Sequence, residues 1–408
     1  MIQRPLTVAS RAQVPPFQVM DILGRVAELR AAGRDVISLC AGEPSGGAPT
    51  GVSDRAAAIH ASGMPLTYTP ALGIADLRQA IAMHYRRWYG IDVAPANVAV
   101  TTGSSGAFML TFLAAFNPGD RVALARPGYP AYRNILRALG IDVVELDCGP
   151  ATRYQPTPAQ LDAAAAEHGP LSGLMLASPA NPTGTMVSRV ELADLIAWCA
   201  RNGVRLVSDE IYHGITYPGA GQPDPRGVCG WELDRSAVVI SSFSKYWGMT
   251  GWRLGWALVP DDLLPAVDAL AGNVALCPPA PAQLAAVEAF SEDSYAQAQR
   301  FVEEFARTRT VLLEQLPRLG WGNAAPADGA FYLYADLGAA MAGFADSTAY
   351  CAALLEEEGV ALVPGADFDA ICGRRTVRLS FAAGPEAVTE AIERIVRFQE
   401  ARTAAFLQ

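Results

Sequence analysis

The sequence predicts an α/β protein, in which a large domain with a mostly parallel sheet sandwiched by helices is joined to a smaller α+β domain. From Asn97 onward, short apolar runs alternate with helix-like segments, which is typical of a parallel sheet covered by helices. After Pro278 and Pro279, a long helical stretch replaces this alternation. The length of 408 residues predicts two or three domains, at about 150 residues per domain.

The predicted elements follow the chain in a regular order. Six apolar runs indicate strands of the large sheet: Val98–Thr101, Arg121–Ala125, Leu171–Ala177, Val204–Ser208, Ala237–Ser241 and Arg253–Val259. Three segments between them have helical spacing: Ser104–Phe116, Pro130–Leu139 and Ser188–Asn202.

The last part of the chain reads as a separate α+β unit. A helical stretch from Gln283 to Leu316 is interrupted near Ser291, and further elements follow it: strands at Ala330–Tyr334, Val360–Val363 and Thr376–Phe381, and helices at Ser347–Glu358 and Pro385–Arg402. The first 45 residues read as an arm plus a helix. We therefore expect an arm at 1–45 that is part of the small domain, a large domain at 46–289 and a small C-terminal domain at 290–408.

Composition excludes several classes of protein. A formal net charge of -10 argues against tight nucleic-acid binding through a basic face. No apolar run approaches the roughly 20 residues that cross a membrane, and the first residues do not resemble a signal peptide. The seven cysteines are scattered and form no C-x-x-C pair, as expected of free thiols in a reducing compartment. The expectation is a cytoplasmic protein.

Arginine and lysine are used very unequally, because the chain contains thirty arginines and one lysine, Lys245. Arginine stays protonated in proteins, whereas a buried lysine can lose its proton and attack a carbonyl carbon. Lys245 therefore either performs chemistry that a guanidinium cannot, or survives by chance in an arginine-rich composition. The surrounding sequence has to decide.

Ligands of open α/β sheets bind at the carboxyl ends of the strands, and five chemically suggestive segments lie next to predicted strands. In the first, Gly103, Ser104 and Ser105 stand between a strand and a helix. Backbone N–H groups at such a helix N-terminus can hold a phosphate. The alternative is a plain serine N-cap.

Two further segments could present side chains to a flat ring. Tyr129 follows a strand and a Pro-Gly turn and could stack on such a ring, although a surface tyrosine is the commoner case. Asn181, in Ser-Pro-Ala-Asn-Pro-Thr-Gly, is framed by two prolines that fix the backbone and hold its amide at a set point. A bare turn would need no such function.

The fourth segment places a carboxylate, Asp209, at the end of an apolar strand. Burying a carboxylate is unfavourable unless a cation lies opposite, and a protonated pyridine nitrogen would serve. Tyr212 could reach the same ring. The alternative is an ion pair with an arginine; His213 invites a metal site, but no second histidine lies near it and we set that aside.

The fifth segment, Ser-Ser242-Phe-Ser244-Lys245, contains the lysine and follows a strand. Arg253 lies eight residues further on, at the predicted start of the next strand, from where its side chain can return to a phosphate.

Taken together, these segments resemble the class I/II aminotransferases, the aspartate-aminotransferase-like family of fold type I pyridoxal-phosphate enzymes. The clearest likeness is Ser-Phe-Ser-Lys245 followed by Gly-Trp-Arg253-Leu-Gly. Four other landmarks occur in the family's order: Tyr68-Thr-Pro-Ala-Leu-Gly, Asn181-Pro-Thr-Gly, Asp209-Glu-Ile-Tyr212 and Thr-Val-Arg378-Leu-Ser-Phe. The resemblance covers about residues 15–400.

The resemblance implies pyridoxal 5'-phosphate as the cofactor. Lys245 would bind it as a Schiff base and act as the base that moves the substrate's Cα proton. Asp209 would keep the pyridine nitrogen protonated, and Tyr129 would stack on the ring. Asn181 and Tyr212 would bind the ring's 3′ oxygen. The phosphate would be held by Gly103, Ser104, Ser105, Ser242, Ser244 and Arg253.

The resemblance also assigns the substrate site. Arg378 would clamp the α-carboxylate of an amino acid, with Asn181 beside it, and Gly42 would lie where the N-terminal segment closes over the substrate. Tyr68 would reach the phosphate of the neighbouring subunit, which implies a homodimer with shared active sites. No metal is expected.

The implied reaction moves an amino group between an L-amino acid and a 2-oxo acid. Elimination, oxidation or cyclisation on the same fold is the alternative. Some aspartate-using bacterial members carry a lysine near the position of Ser105, and its absence here disfavours a dicarboxylic substrate. Phe17, Phe331, Tyr332 and the Pro278-Pro279 neighbourhood could line a pocket for an apolar or small side chain. The substrate itself stays open.

Overall fold

The computed structural model describes residues 6–217 and 225–406. Within these ranges the strands are β1 Ile37–Ser38, β2 Val98–Thr101, β3 Arg121–Arg126, β4 Asp142–Asp147, β5 Gly173–Ala177, β6 Arg205–Asp209, β7 Val238–Ser242, β8 Gly255–Leu258, β9 Tyr332–Asp336, β10 Val360–Ala361, β11 Val363–Pro364 and β12 Thr376–Ser380.

The α-helices of the same ranges are α1 Gln18–Ala31, α2 Thr50–Ala61, α3 Ala75–Tyr89, α4 Gly103–Ala115, α5 Pro130–Ala138, α6 Pro158–His168, α7 Arg189–Asn202, α8 Gly230–Leu233, α9 Leu264–Val274, α10 Ala280–Ala286, α11 Glu292–Gln315, α12 Ser347–Glu358 and α13 Pro385–Phe406. None of the helices described is both long and apolar enough to cross a membrane.

The large sheet has seven strands in the order β2-β8-β7-β6-β5-β3-β4. The strands β3 to β7 are parallel to their neighbours, and β8 pairs antiparallel with both β7 and β2. The carboxyl ends of β2 and of β3 to β7 therefore share one edge of the sheet, where the amino end of β8 also lies. The α/β prediction is confirmed, and this edge is the one at which the suggestive segments were expected.

One small sheet joins the N-terminal segment to the C-terminal part of the chain, and a second lies within the C-terminal part. Strand β1 from the N-terminal segment pairs in parallel with β10, and β12 lies between β11 and β9 in an antiparallel sheet. Because Leu39 packs in the same apolar core as Val388 of the last helix, the N-terminal segment is held by the C-terminal part. The domain boundaries at 45 and 289 stay a prediction.

Local sequence explains where several helices begin and end. Ser188 and Glu191 form a reciprocal capping box at the start of α7, and Gly203 ends that helix in the left-handed conformation. The interruption predicted near Ser291 is confirmed, because the Ser291 side chain accepts a hydrogen bond from Ser294 N–H and starts α11.

Two sequence-based expectations were wrong in detail. The strand expected at Arg253–Val259 begins at Gly255, because Arg253 has the left-handed φ of 53° and ends a short 3-10 turn. The single strand expected at Val360–Val363 is divided into β10 and β11, which pair in different sheets. Strands β1 and β4 and helices α2, α3, α6, α8 and α9 were not predicted.

Candidate active site

Lys245 lies three residues after the end of β7 and is half-buried at the carboxyl edge of the sheet. Its Nζ donates a hydrogen bond to the carbonyl oxygen of Gly42, so the N-terminal segment passes beside the lysine. Burial lowers the pKa of Lys245 to about 8, against the opposing effect of the nearby Glu43 carboxylate. A lysine with this pKa is partly neutral near pH 8, which is the form that acts as a nucleophile or a base.

Asp209 is the last residue of β6 and is almost completely buried. Tyr132 donates its hydroxyl proton to one carboxylate oxygen, and the Ile211 N–H donates to the other at 3.1 Å. Burial raises the pKa of Asp209 to about 6, although both hydrogen bonds oppose the rise. No salt bridge to Asp209 is found in the described part of the chain, where its hydrogen-bond partners are Tyr132 and Ile211.

Helix α4 begins at the carboxyl end of β2, and the residues around its first turn are tightly packed. Gly103 has a φ of 69°, and a Cβ there would lie 2.4 Å from Nη2 of Arg253. A Cβ on Gly255 would lie 2.7 Å from the Ser104 nitrogen. Thr102, the N-cap residue, makes no side-chain cap bond, so the plain serine N-cap is not what forms here.

Two serine hydroxyl groups lie at the carboxyl end of β7 and just after it. Ser242 Oγ donates to Ser244 Oγ at 2.8 Å and accepts a bond from the Ser244 N–H at 3.0 Å. The Arg253 side chain is exposed and its Nη1 donates to the Thr250 carbonyl oxygen at 2.8 Å. Helix N-terminus, hydroxyls and guanidinium therefore form one cluster of hydrogen-bond donors suited to a phosphate.

Arg378 lies in β12 and is buried. Its Nη1 donates to the Asn181 side-chain oxygen at 2.9 Å, and its Nη2 to the Cys40 carbonyl oxygen at 2.7 Å. The guanidinium carbon lies 4.5 Å from the ring centre of Tyr332 and 4.9 Å from that of Phe368. Its Nε has no hydrogen-bond partner in the described residues. A buried cation with spare donors is suited to a carboxylate ligand.

Tyr212 follows β6 and is buried beside these groups. Its hydroxyl lies 2.7 Å from that of Tyr332, and its ring centre is 5.7 Å from Lys245 Nζ. Tyr129 lies at the start of α5 and packs edge-on against Tyr132, with ring centres 5.3 Å apart. The ring of Phe17, from the N-terminal arm, lies 5.9 Å from that of Tyr129.

Most of the residues expected at the site are linked by these contacts, but Tyr68 is separate. It is 81% exposed on the surface of the chain. Sequence reasoning missed Tyr132 as a partner of Asp209 and could not place Tyr332. The signal for Tyr132 was available, because it stands three residues after Tyr129 on the first turn of a predicted helix. Tyr332 is adjacent to Arg378 only through pairing of distant strands.

The histidine that invited a metal site has a different environment. His213 is buried, and its Nδ1 lies 2.6 Å from the Tyr89 hydroxyl and 3.4 Å from a Glu210 carboxylate oxygen. In residues 6–217 and 225–406 no group of three or more histidine, cysteine, aspartate or glutamate side chains is arranged to hold a metal ion.

The residues at this edge fit pyridoxal phosphate. Lys245 supplies an amine of lowered pKa, and Asp209 is a buried carboxylate that forms no salt bridge within the described residues, next to which a pyridinium would be stabilised. The turn at Gly103 with Arg253 supplies phosphate donors, and Arg378 supplies a carboxylate site. Fold and site together define a fold type I pyridoxal-phosphate enzyme.

Comparison with known proteins identifies the family. The model of the family "Aminotransferase class I and II" matches residues 34–395. The chain is 51% identical over 389 residues to the valine–pyruvate aminotransferase of Mycobacterium tuberculosis, covering 95% of this chain and 97% of that protein. It is 35% identical over 394 residues to an aspartate aminotransferase of Geobacillus stearothermophilus, covering 96% and 98%. The chain belongs to the class I and II aminotransferase family.

Solved structures agree. A crystal structure of an aminotransferase from Mycobacterium tuberculosis superposes with a TM-score of 0.92 at 50% identity, covering 97% of this chain and 100% of that one. The aspartate aminotransferase of Thermus thermophilus with maleate gives 0.88 at 32% identity, covering 96% and 100%. The protein is a pyridoxal-phosphate-dependent aminotransferase that acts on amino acids and 2-oxo acids, as the sequence predicted.

Proposed function

We propose that the cofactor binds at the carboxyl edge of the large sheet with Lys245, Asp209 and Arg378 in three separate roles. The observation that carries this proposal is the meeting of these three side chains at one edge, although more than 30 residues separate each from the next. Lys245 would hold the cofactor covalently, Asp209 would face its pyridine nitrogen, and Arg378 would bind the substrate's α-carboxylate.

When bound, pyridoxal phosphate supplies an aldehyde for the amino group and a ring that accepts electrons from Cα. Lys245 Nζ would remove the proton from substrate Cα, because its lowered pKa provides a neutral amine near pH 8. Asp209, kept anionic by Tyr132 and the Ile211 N–H, would hold a proton on the ring nitrogen. The amide of Asn181 and the phenol of Tyr212 would bind the ring oxygen, and Tyr129 would cover the ring face.

The remaining residues would fix the two ends of the reacting molecule. The N–H groups of the turn at Gly103, Ser104 and Ser105 would bind the phosphate with Ser242, Ser244 and Arg253, since they form one donor cluster. Gly42 would border the substrate, because its carbonyl contacts Lys245 and a Cβ there would lie 3.2 Å from the Tyr332 hydroxyl.

We further propose an amino donor with one carboxylate and an apolar side chain, with valine the first choice and pyruvate the acceptor. The relative at 51% identity carries that activity in its name. The rings of Tyr332 and Phe368 pack on Arg378, and this aromatic surrounding favours an apolar side chain over a second charge. The position near Ser105, where some aspartate-using members carry a lysine, has none here.

A panel of amino donors tests the function and the substrate together. Each donor is mixed with the yellow holoenzyme, and the absorbance change that accompanies loss of the aldehyde is followed, then reversed with a 2-oxo acid. We expect valine and other aliphatic donors to react at higher kcat/KM than aspartate or glutamate. Preference for aspartate would contradict the substrate assignment, and ammonia release without reversal by a 2-oxo acid would contradict the site mechanism.

We also propose a homodimer in which each active site is completed by Tyr68 of the partner subunit. Tyr68 is exposed and contacts none of the described site residues of its own chain. Met64, Leu66, Val274 and Leu276 are further exposed apolar residues. Exposed apolar side chains favour association with another chain. When differently tagged Lys245→Ala and Tyr68→Ala chains are co-expressed, each hybrid dimer should contain one intact active site. Because about half of the dimers are hybrids, the mixture should have about a quarter of wild-type activity. Inactive hybrids would contradict shared sites.

A cytoplasmic location is part of the same proposal. All seven cysteines are free, and five of them are buried. Free buried thiols are typical of a reducing compartment. Fractionation of cells that express the chain would test this, and recovery outside the cytoplasm would contradict it.

A further inference from the structure

Tyr332 contacts two residues, Tyr212 and Arg378, to which the proposed function gives different roles. It is the first residue of β9 and is completely buried. Its hydroxyl lies 2.7 Å from the Tyr212 hydroxyl, and its ring centre lies 4.5 Å from the Arg378 guanidinium carbon. A single side chain therefore contacts both the candidate ligand of the cofactor's ring oxygen and the candidate ligand of the substrate carboxylate.

We propose that Tyr332 is a positioning residue with two separable actions. Its hydroxyl strengthens the hydrogen bond from Tyr212 to the cofactor, and its ring orients Arg378 for the substrate carboxylate. This inference rests on the proposed function, because it takes the roles of Tyr212 and Arg378 from there.

The first action follows from which of the two phenols donates the hydrogen bond between them. Each phenol carries one proton and can also accept a hydrogen bond. If Tyr212 donates its proton to the ring oxygen, the 2.7 Å contact leaves Tyr332 as the donor to Tyr212. A hydroxyl that accepts a hydrogen bond becomes a stronger donor itself. Loss of the Tyr332 hydroxyl would therefore leave more negative charge on the ring oxygen.

The second action follows from the packing of Arg378. Its guanidinium carbon lies over the rings of Tyr332 and Phe368, 4.5 and 4.9 Å from their centres. Two aromatic rings stabilise a buried cation and restrict its plane, which sets the direction of its N–H groups toward a carboxylate. This action needs the ring of Tyr332 but not the hydroxyl.

Two substitutions separate the actions. Tyr332→Phe keeps the ring and removes the hydroxyl, whereas Tyr332→Leu removes both. The first measurement is the pH at which the absorbance of the holoenzyme changes. We expect Tyr332→Phe to raise this pH by about 0.5 unit, because extra charge on the ring oxygen holds the proton on the neighbouring Lys245 nitrogen more tightly.

The second measurement is the dissociation constant of 3-methylbutanoate, a carboxylate with valine's carbon skeleton and no amino group. We expect Tyr332→Phe to bind it within twofold of wild type and Tyr332→Leu to bind it about tenfold more weakly. Tyr295→Phe is the matched control. It also removes a buried hydroxyl, one that lies 2.7 Å from His84 Nδ1, and it should change neither quantity.

The results distinguish this inference from the proposed function. If Tyr212→Phe raises the spectral pH and Tyr332→Phe leaves it unchanged, the first action is refuted while the site stands. Unchanged 3-methylbutanoate binding in a folded Tyr332→Leu protein refutes the second action. A wild-type protein that forms no yellow complex overturns the proposed function itself.

Discussion

The cofactor-free protein should be destabilised by Asp209, and Asp209→Asn should therefore make it more stable at alkaline pH. Burial raises the pKa of Asp209 from 3.8 to about 6. The folded state then binds more protons than the unfolded state between these two values, so stability falls as the pH rises through this window. This difference in the pKa of Asp209 lowers the free energy of unfolding by about 3 kcal/mol at pH 8 and by almost nothing below pH 4.

The substitution removes this pH-dependent term. The Asn side chain keeps one acceptor oxygen for either Tyr132 or Ile211 and loses the other hydrogen bond, which costs about 1 kcal/mol. The net gain is about 2 kcal/mol at pH 8, or a melting temperature about 2 °C higher for a chain of this length. Between pH 5 and pH 8 the difference between variant and wild type should grow by about 1.5 kcal/mol.

The assay is thermal unfolding of cofactor-free protein at pH 5 and pH 8, followed by tryptophan fluorescence. Asp54→Asn, at an exposed position of α2, is the control and should change the melting temperature little at either pH. In the holoenzyme the wild type should be more stable than Asp209→Asn, because a pyridinium nitrogen would give the Asp209 charge a partner. A difference that is the same at both pH values, or a less stable cofactor-free variant at pH 8, would refute the reasoning.

Three further predictions concern the site. Lys245→Ala should abolish both the borohydride-trappable yellow complex and turnover, since no other lysine exists in the chain; a variant that keeps the complex would refute the assignment. Arg378→Ala should raise KM for the amino donor about a hundredfold and leave the yellow complex, and unchanged KM would contradict its role. Gly103→Ala should weaken cofactor binding about tenfold, because its Cβ would displace the Arg253 guanidinium and φ is 69°. Gly272→Ala, which has room for a Cβ in α9, is its control and should bind the cofactor normally.

The sequence was sufficient for the parts of this molecule that depend on short-range pattern. The apolar runs predicted six of the strands in the large sheet to within two residues at each end, because buried parallel strands are continuous apolar segments between turns. The residues expected around Lys245 could be grouped from sequence because they follow strands, and parallel strands bring their carboxyl ends to one edge of the sheet.

What escaped prediction depends on contacts between distant segments. Tyr332 meets Arg378 because β9 and β12 pair in register next to one another, with Arg378 opposite Tyr334. Nothing in the local pattern around Ala-Phe-Tyr distinguishes this tyrosine from a core residue. Arg253 was expected as the first residue of a strand, but it lies before β8. It is at the carboxyl edge of the sheet because β8 runs antiparallel to β7, so that the amino end of β8 lies at that edge.

The buried ionisable groups explain why a bound cofactor would stabilise this edge of the sheet relative to the cofactor-free protein. Burial moves the pKa of Lys245 down to about 8 and that of Asp209 up to about 6, so both charged forms are disfavoured relative to water. A molecule that brings a cation to Asp209 and a bond to Lys245 relieves both penalties at once. The same groups that destabilise the cofactor-free fold are therefore those that strengthen cofactor binding. This reasoning predicts that a stabilising substitution at either position weakens the retention of pyridoxal phosphate.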